Sequence, residues 1–365
     1  MKNSSKPKVA LFYDWLNQWG GAEKVLLDLI KIYPDAPVFT LVHDPQKTSW
    51  LPSDTKVITS FINHLPFSKN NPLVYTPIYD IALEQFDFSQ FDIVIAATTV
   101  VGHCLLTPPK TMSVCYYENT NRYLYQTPRR YRFLNPLLNI YQKFDYIYSC
   151  RPDHSFCISK TVQKRIYRHF HTKPQIINPG VDITFFTPSL HPSSDYYLTV
   201  SRLVAHKNID LVINTFNLLP QKLIIIGHGR GSANLKNLAK NNPNIKFLGN
   251  LTNEQVRYYY QNCRALICPQ IEDFGLTPIE AQACGKPVIA FGSGGNTETI
   301  INGKTGIFFK KPTVSALTKA INTLNNSKIS SRDCQQNAAK FSADSFMLNF
   351  KQLIDNLWQQ HQTTT

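Results

Sequence analysis

Apolar residues along this chain fall into short continuous runs separated by amphipathic stretches. The run KVALFY (8–13) reads as a strand buried on both faces. Gly20-Gly21 follows, and apolar residues then recur at helical spacing over 22–31. PVFTLV (37–42), FDIVIAAT (91–98) and MSVCYY (112–117) predict further strands. SFCIS and PQIIN predict two shorter ones, on either side of a helix over 160–170.

The pattern restarts near Tyr196. YYLTVS, KLIIIG, NIKFLG, ALICP and PVIAF read as strands. The stretches between them, NIDLVINTFNLL, ANLKNLAK, TNEQVRYYYQNC and TPIEAQACG, read as helices. Strands alternating with helices imply parallel sheets, and two such series imply two Rossmann-like domains. The break falls in ITFFTPSLHPSSD (183–195), which is rich in Pro and Ser and has no periodicity. The expected domains are therefore 1–188 and 189–342. A final helix and tail occupy 343–365, with Phe346, Phe350, Leu353 and Leu357 at helical spacing. In open parallel sheets ligands bind at the carboxyl ends of the strands, so a cleft between two such domains is the expected site.

With 365 residues, 43% of them hydrophobic and 17% charged, the chain has the composition of a folded two-domain protein. No run of about 18 apolar residues occurs, and residues 1–9 hold no apolar signal core. A cytoplasmic protein is expected. Eight cysteines show no C-x-x-C pairing and no zinc spacing, and several lie inside apolar runs as small hydrophobes. The net charge of +14 is uneven: residues 119–176 carry 11 Lys and Arg against 2 Asp, hence +9. That block includes TPRRYRF (127–133) and KTVQKRIYRHF (160–170). It is either a solvated helix face or a surface for an anionic membrane, nucleic acid or phosphorylated substrate.

Candidate chemistry clusters at strand ends. Gly20-Gly21 lies between the first strand and first helix, where backbone amides can approach an anion, though a plain turn explains it equally. It does not fit the G-x-G-x-x-G fingerprint. SRLVAHKN puts Arg202 at a strand end and Lys207 just before a helix, a pairing suited to a diphosphate. In IEDFGLTPIE (271–280), Thr277, Pro278 and Glu280 fit the N-cap, first and third positions of a capping box. Glu272 has no such structural explanation. A carboxylate there can accept hydrogen bonds from a polyol's hydroxyls, with the Gly275 and Leu276 amides aimed at the same space. GSGGN (292–296) is another glycine turn, either ligand-facing or structural. GHGRG (227–231) lacks the P-loop's spacing and ending, and no D-x-D triplet or G-x-S-x-G occurs.

With these residues in view, the chain resembles the family 4 retaining glycosyltransferases. EDFGLTPIE fits that family's E-x7-E signature, GGAEKV its glycine loop, SRLVAHKN its Arg…Lys element and INPGVD its turn. GHCLLTPPK and RYLY resemble the bacterial mannosyltransferase-like branch. The resemblance implies the GT-B fold: α/β, two Rossmann-like domains facing across a cleft, with the C-terminal helix returning to the first. It implies that Arg202 and Lys207 hold the donor diphosphate. Glu272 would bind the transferred sugar, with Phe274, Gly275, Leu276 and Thr277 lining it, and Glu280 the ribose. Gly20 and Gly21 would approach from the other domain. No metal or resident cofactor is implied. The expected partners are a nucleotide-sugar donor, GDP-mannose or a UDP-sugar, and a glycan or lipid-linked acceptor in cell-envelope polysaccharide synthesis. The alternatives are a membrane-lipid acceptor, with residues 119–176 on anionic headgroups at the inner membrane face, and a non-catalytic basic binding module. No nucleic-acid partner is expected. One position departs from the branch: Glu118 stands in YYENTNRY where a histidine is usual, so either Glu118 or another residue such as His103 takes the polar role near the reacting sugar, or the acceptor differs.

Overall fold

Eight consecutive residues, Val9–Leu16, form β1, and every one of them is buried. A strand covered on both faces has to be apolar throughout and to pair in parallel with its neighbours. β1 does so with β2 (Val38–His43) and with β4 (Ile93–Thr98). Beyond them lie β3 (Val57–Thr59), β5 (Met112–Tyr117), β6 (His154–Cys157) and β7 (Gln175–Ile176). In this computed structural model, which describes residues 6–125, 135–190 and 195–364, the first sheet runs β3-β2-β1-β4-β5-β6-β7. Helices α1 (Gly21–Ile32), α2 (Tyr79–Glu84), α3 (Arg122–Tyr125), α4 (Asn135–Tyr148) and α5 (Lys160–Phe170) accompany it. The basic stretch at 127–133 lies outside the described residues.

The second series gives β8 (Tyr196–Val200), α6 (Ile209–Phe216), β9 (Lys222–Ile226), α7 (Ser232–Ala239), β10 (Ile245–Gly249) and α8 (Asn253–Asn262). It continues with β11 (Ala265–Cys268), α9 (Leu276–Ala283), β12 (Val288–Phe291), α10 (Asn296–Thr299) and β13 (Gly306–Phe309). Helices α11 (Val314–Asn325), α12 (Ser331–Ala338) and α13 (Ala343–Thr364) follow. The sheet order is β10-β9-β8-β11-β12-β13, again parallel throughout. Both sheets are the expected Rossmann-like arrangement, in which strand order reverses beside the first strand. Local chemistry sets several ends. Ser159 accepts a hydrogen bond from Val162 N at 3.0 Å and starts α5. Thr252 and Gln255 form a full capping box on α8. Pro269, which has no N–H to donate, takes the chain out of the ladder after β11.

The chain divides into two units, Met1–Pro179 with Phe346–Thr365, and Gly180–Ser345. The changeover precedes the expected 188/189 boundary, because residues 180–187 are already anchored in the second unit. Val181 pairs with Ser342, Phe186 meets Tyr260 edge-on at 5.9 Å, and Gln261 Nε2 donates to Thr187 O at 2.7 Å. The C-terminal helix does return to the first unit. Phe346, Phe350 and Ile354 recur every four residues on α13 and are buried. Phe346 stacks on Tyr116 at 6.1 Å and Phe350 meets it edge-on at 5.5 Å. Phe350→Ala is expected to cost about 3–5 kcal/mol, the usual loss for a buried phenylalanine. Urea unfolding measures it, and a loss below about 1 kcal/mol would mean that α13 does not anchor here.

Candidate functional site

The second sheet's strand order reverses between β8 and β11, and the chain leaves both strands there at their carboxyl ends. After β8 comes Ser201-Arg202-Leu203. Leu203 N donates to His228 O at 3.0 Å and Gly231 N to Leu203 O at 2.8 Å. The GHGRG turn is therefore a brace for the Arg202 turn. Arg202 itself is exposed. A single 3-10 turn, Ala205–Lys207, then leads into α6 through Asn208, whose φ of 51° lies in the left-handed region asparagine tolerates.

After β11 the chain reaches Glu272. Lys207 Nζ donates to both oxygens of this carboxylate, at 2.9 and 3.0 Å, and Gln270 Nε2 donates to Oε1 as well. The two charged side chains are 14% and 17% exposed, so the pair is half-sunk, with one side reachable. A carboxylate has about four lone-pair sites, and these bonds occupy three. Gln270 is buried, and its backbone oxygen accepts from Asn296 Nδ2 at 2.8 Å.

The GSGGN turn packs directly behind Glu272, which settles its ambiguity in favour of close packing. Gly295 N donates to Glu272 O at 2.7 Å. Gly294 has φ +66°, and a Cβ there would lie 2.6 Å from Glu272 O and 2.5 Å from Ile271 Cγ2. Only glycine permits that approach and that conformation together.

The capping-box reading of Thr277 and Glu280 does not hold. Gly275, at φ 103°, is the residue before the helix, and α9 begins at Leu276 with no side-chain cap. Starting earlier moves Glu280 into the second turn, pointing inward: it is 2% exposed, and its Oε2 accepts from Tyr260 Oη at 2.9 Å. Pro278 costs the helix nothing, because first-turn N–H groups have no intrahelical partner. Phe274 is buried with its ring edge-on to Phe341 at 5.6 Å, so only its backbone can line a ligand. Cys268, at the end of β11, reports how these groups gather. Burial pushes its thiol up and Glu272 adds to that; a hydrogen bond with Thr277 and the Lys207 charge oppose it, and Glu280 adds again.

In the first unit, Gly20 precedes α1 in extended conformation and Gly21 is its first residue. Glu23, buried in that first turn, accepts from Tyr13 Oη and Gln18 Nε2, each at 3.1 Å. Glu118 is buried at the end of β5, its N donating to Thr98 O at 2.8 Å. Tyr13 is raised well above the usual phenol range, first by burial and then by Glu23, Glu118 and Asp14, which brings three carboxylates to one place.

Asp14 was not singled out from the sequence. It accepts from Thr98 Oγ1, Thr99 N, Thr99 Oγ1, Val100 N and Val101 N, at 2.6–3.0 Å. It thus ties β1 to the turn after β4, at that sheet's own reversal of strand order. The available signal was a lone acid inside the apolar run VALFYDWL, since a buried charge demands partners.

His103 lies in the same turn and is buried. Its Nε2 is 2.9 Å from Asp145 Oδ1, and Asp145 Oδ2 accepts from Tyr125 Oη at 2.8 Å. Burial alone would lower the histidine, but Cys104 and the Asp145 carboxylate more than reverse this, and it is raised well above its ordinary value. His103 is placed in an interior ion pair that braces α4 to this turn.

Residues 183–341 match the family model described as "Glycosyl transferases group 1", a stretch that holds Arg202, Lys207, Glu272 and Glu280. The chain is 26% identical over 244 residues, 54% of its length and 57% of the relative's, to an alpha-1,3/1,6-mannosyltransferase of Dictyostelium discoideum. It is 30% identical over 175 residues, 39% of this chain and 45% of the relative, to a GDP-mannose-dependent monoacylated alpha-(1-6)-phosphatidylinositol monomannoside mannosyltransferase of Corynebacterium glutamicum. The chain spans about half the length of the curated relatives it matches. Its fold is similar to that of a sucrose-phosphate synthase from Thermosynechococcus elongatus, with TM-score 0.80 at 17% identity, over 97% of this chain and 100% of that one.

Two predictions follow from this geometry. Gly294→Ala is expected to destabilise the chain by about 1–3 kcal/mol through backbone strain and to displace the Glu272 turn. Thermal unfolding and the amide resonances of 270–275 report on it, and an unchanged spectrum would contradict the packing account. For His103, a raised folded value means its stabilisation is present below about pH 6.5, the unfolded value, and is lost as pH rises through the folded one. Urea midpoints of the native chain should fall on the alkaline side, and Asp145→Asn should flatten that limb. A slope unaltered in the variant would place its origin elsewhere.

Proposed function

We propose, from the match of residues 183–341 to the family model described as "Glycosyl transferases group 1", that the whole chain is a glycosyltransferase of the GT-B type. It moves a hexose from a nucleoside-diphosphate sugar to a glycan or lipid-linked acceptor. The observation that carries this reading is the Lys207–Glu272 pair, held at the carboxyl ends of β8 and β11 where strand order reverses.

The two charges divide the donor between them. Lys207 has three donors, two of them on Glu272. Its third faces the diphosphate, together with the guanidinium of Arg202 at the end of β8. As the sugar–phosphate bond breaks, negative charge grows on the leaving diphosphate. Fixed cations stabilise that charge more in the transition state than in the ground state, which is electrostatic catalysis. Glu272 takes hydroxyls of the hexose through its remaining lone-pair capacity, with the Gly275 and Leu276 backbone beside it. Glu280 has its Oε2 on Tyr260 and 2% exposure. A ribose contact from it therefore needs a small opening at the start of α9. Transfer proceeds with retention and without a resident metal, the cations doing the neutralising. In the first unit, Glu118 is the acidic candidate for the polar role near the reacting sugar. The Corynebacterium glutamicum relative, named as GDP-mannose-dependent, favours GDP-mannose as donor, with a UDP-sugar as the alternative.

Thermal-shift titration with GDP, UDP and ADP identifies the base, since a ligand that binds only the native state raises the midpoint. Lys207→Ala is expected to weaken the preferred nucleoside diphosphate about tenfold or more, as a charge-assisted contact would. Glu272→Gln should still bind that nucleoside diphosphate, since Lys207 is retained, and lower turnover of the nucleotide sugar by about a hundredfold or more. Undiminished turnover in both variants, with wild-type unfolding midpoints, would sink the assignment.

A further inference from the structure

Glu272 is held by a buried amide two residues earlier in the chain. Gln270 follows Pro269 beyond the end of β11 and is 1% exposed. Its Nε2 donates to Glu272 Oε1. Turning the amide over would set two acceptors against each other, so its own Oε1 has to face away from the carboxylate. There it is buried and meets no donor among the described residues. A buried acceptor left without a donor costs free energy, and an apolar side chain of the same length would avoid that cost. Stability alone therefore does not select glutamine at this position.

Asn296, the first residue of α10, repeats the pattern. It is fully buried, and its Nδ2 donates to Gln270 O at 2.8 Å and to Phe291 O at 3.1 Å. Its Oδ1 also has no donor among the described residues. Two buried amides thus leave their oxygens unmet while their NH2 groups hold the chain and the carboxylate at this place. Violations of local rules of this kind concentrate at functional sites. The bonds also make the two oxygens of Glu272 unequal. Lys207 Nζ donates to both, at 2.9 and 3.0 Å, and so does not distinguish them. Gln270 adds a second bond to Oε1, which fills that oxygen's two lone pairs. With the bonds of the described residues, Oε2 keeps one lone pair.

We propose that Gln270 is a positioning residue for the sugar transfer, an inference that rests on the donor reading of Lys207 and Glu272 above. It saturates Oε1 and presents Oε2 as the oxygen that meets a hydroxyl of the hexose. The last torsion of a glutamate side chain is soft and roughly two-fold, so a carboxylate held by Lys207 alone would turn and exchange its oxygens. Gln270 removes that freedom before the donor arrives. An acceptor fixed in advance stabilises the transition state without reorganising, and it does so only if a supporting side chain locks it. The unmet oxygen of Gln270 is the stability forgone for that lock.

The test is Gln270→Met in the full chain, which keeps the length of the side chain and removes the amide. Turnover is read as nucleoside diphosphate released from GDP-mannose or UDP-glucose. The urea midpoint is expected to stay near that of the wild type, because the lost bond to Glu272 and the relieved Oε1 offset each other. The nucleoside diphosphate should bind as it does to the wild type, since Lys207 and Arg202 are untouched. The kcat should fall about tenfold with little change in KM, the mark of a contact that matters in the transition state. In the Glu272→Gln background the same change should lower kcat less than about twofold further, because Gln270 acts through that carboxylate. A Gln270→Met chain with wild-type kcat would overturn the role alone, and so would a full tenfold loss on top of Glu272→Gln. A wild type that binds no nucleoside diphosphate and releases none would overturn the donor reading and this role together.

Discussion

Parallel pairing at the centre of the second sheet is the constraint on which the candidate site depends. β8 lies between β9 and β11, so the chain departs from β8 toward one side and returns through β11 on the other. Loops that leave in opposite directions cannot fill the space above the strand ends. Lys207 and Glu272 meet in that space across 65 residues of chain. Neither could be held there by local structure alone, since one ends a single 3-10 turn and the other follows a strand broken by proline.

What holds the site is mostly backbone against backbone. The Gly294-Gly295 turn touches the Glu272 main chain, and the GHGRG turn is hydrogen-bonded to the residues after Arg202. The charged side chains thus project from loops that are themselves fastened, and fixed charges are the ones that stabilise a transition state without reorganising. The Lys207–Glu272 pair is neither fully solvated nor fully buried. Removing one partner would leave the other's charge in a poorly solvated place, which makes the pair interdependent.

The first unit repeats the same sheet with different chemistry. At its own reversal of strand order a carboxylate, Asp14, is consumed by five hydrogen bonds to the turn after β4. The same turn carries His103, and His103 draws Asp145 inward. On α4, Asp145 is drawn inward beside half-buried Leu138, Tyr141 and Tyr148, while Leu137, Ile140, Phe144 and Ile147 stay exposed together with Asn139 and Lys143.

The alternation of apolar runs and amphipathic stretches was enough to read the two-sheet architecture, because parallel strands buried on both faces must be continuous apolar segments. Helix α5 was legible to the residue: Ser159 caps it and its apolar face is regular. Strands β3 and β13 and helices α2, α3, α4, α10, α11 and α12 were not read. β3 spans three residues and α3 and α10 four each, too short for a periodicity to show. Lys207 and Glu272 were legible as candidates from their places at strand ends, and their direct pairing was not. Glu280 shows the limit most plainly. Its spacing from Thr277 satisfies a capping box, but Gly275 enters a left-handed conformation, the helix starts earlier, and the carboxylate turns inward to Tyr260. Composition and periodicity determine which segments become strands and helices, because burial and backbone pairing act locally along the chain. Which polar groups meet, and whether a carboxylate faces a ligand or the core, is decided only when distant segments are brought to the same strand ends.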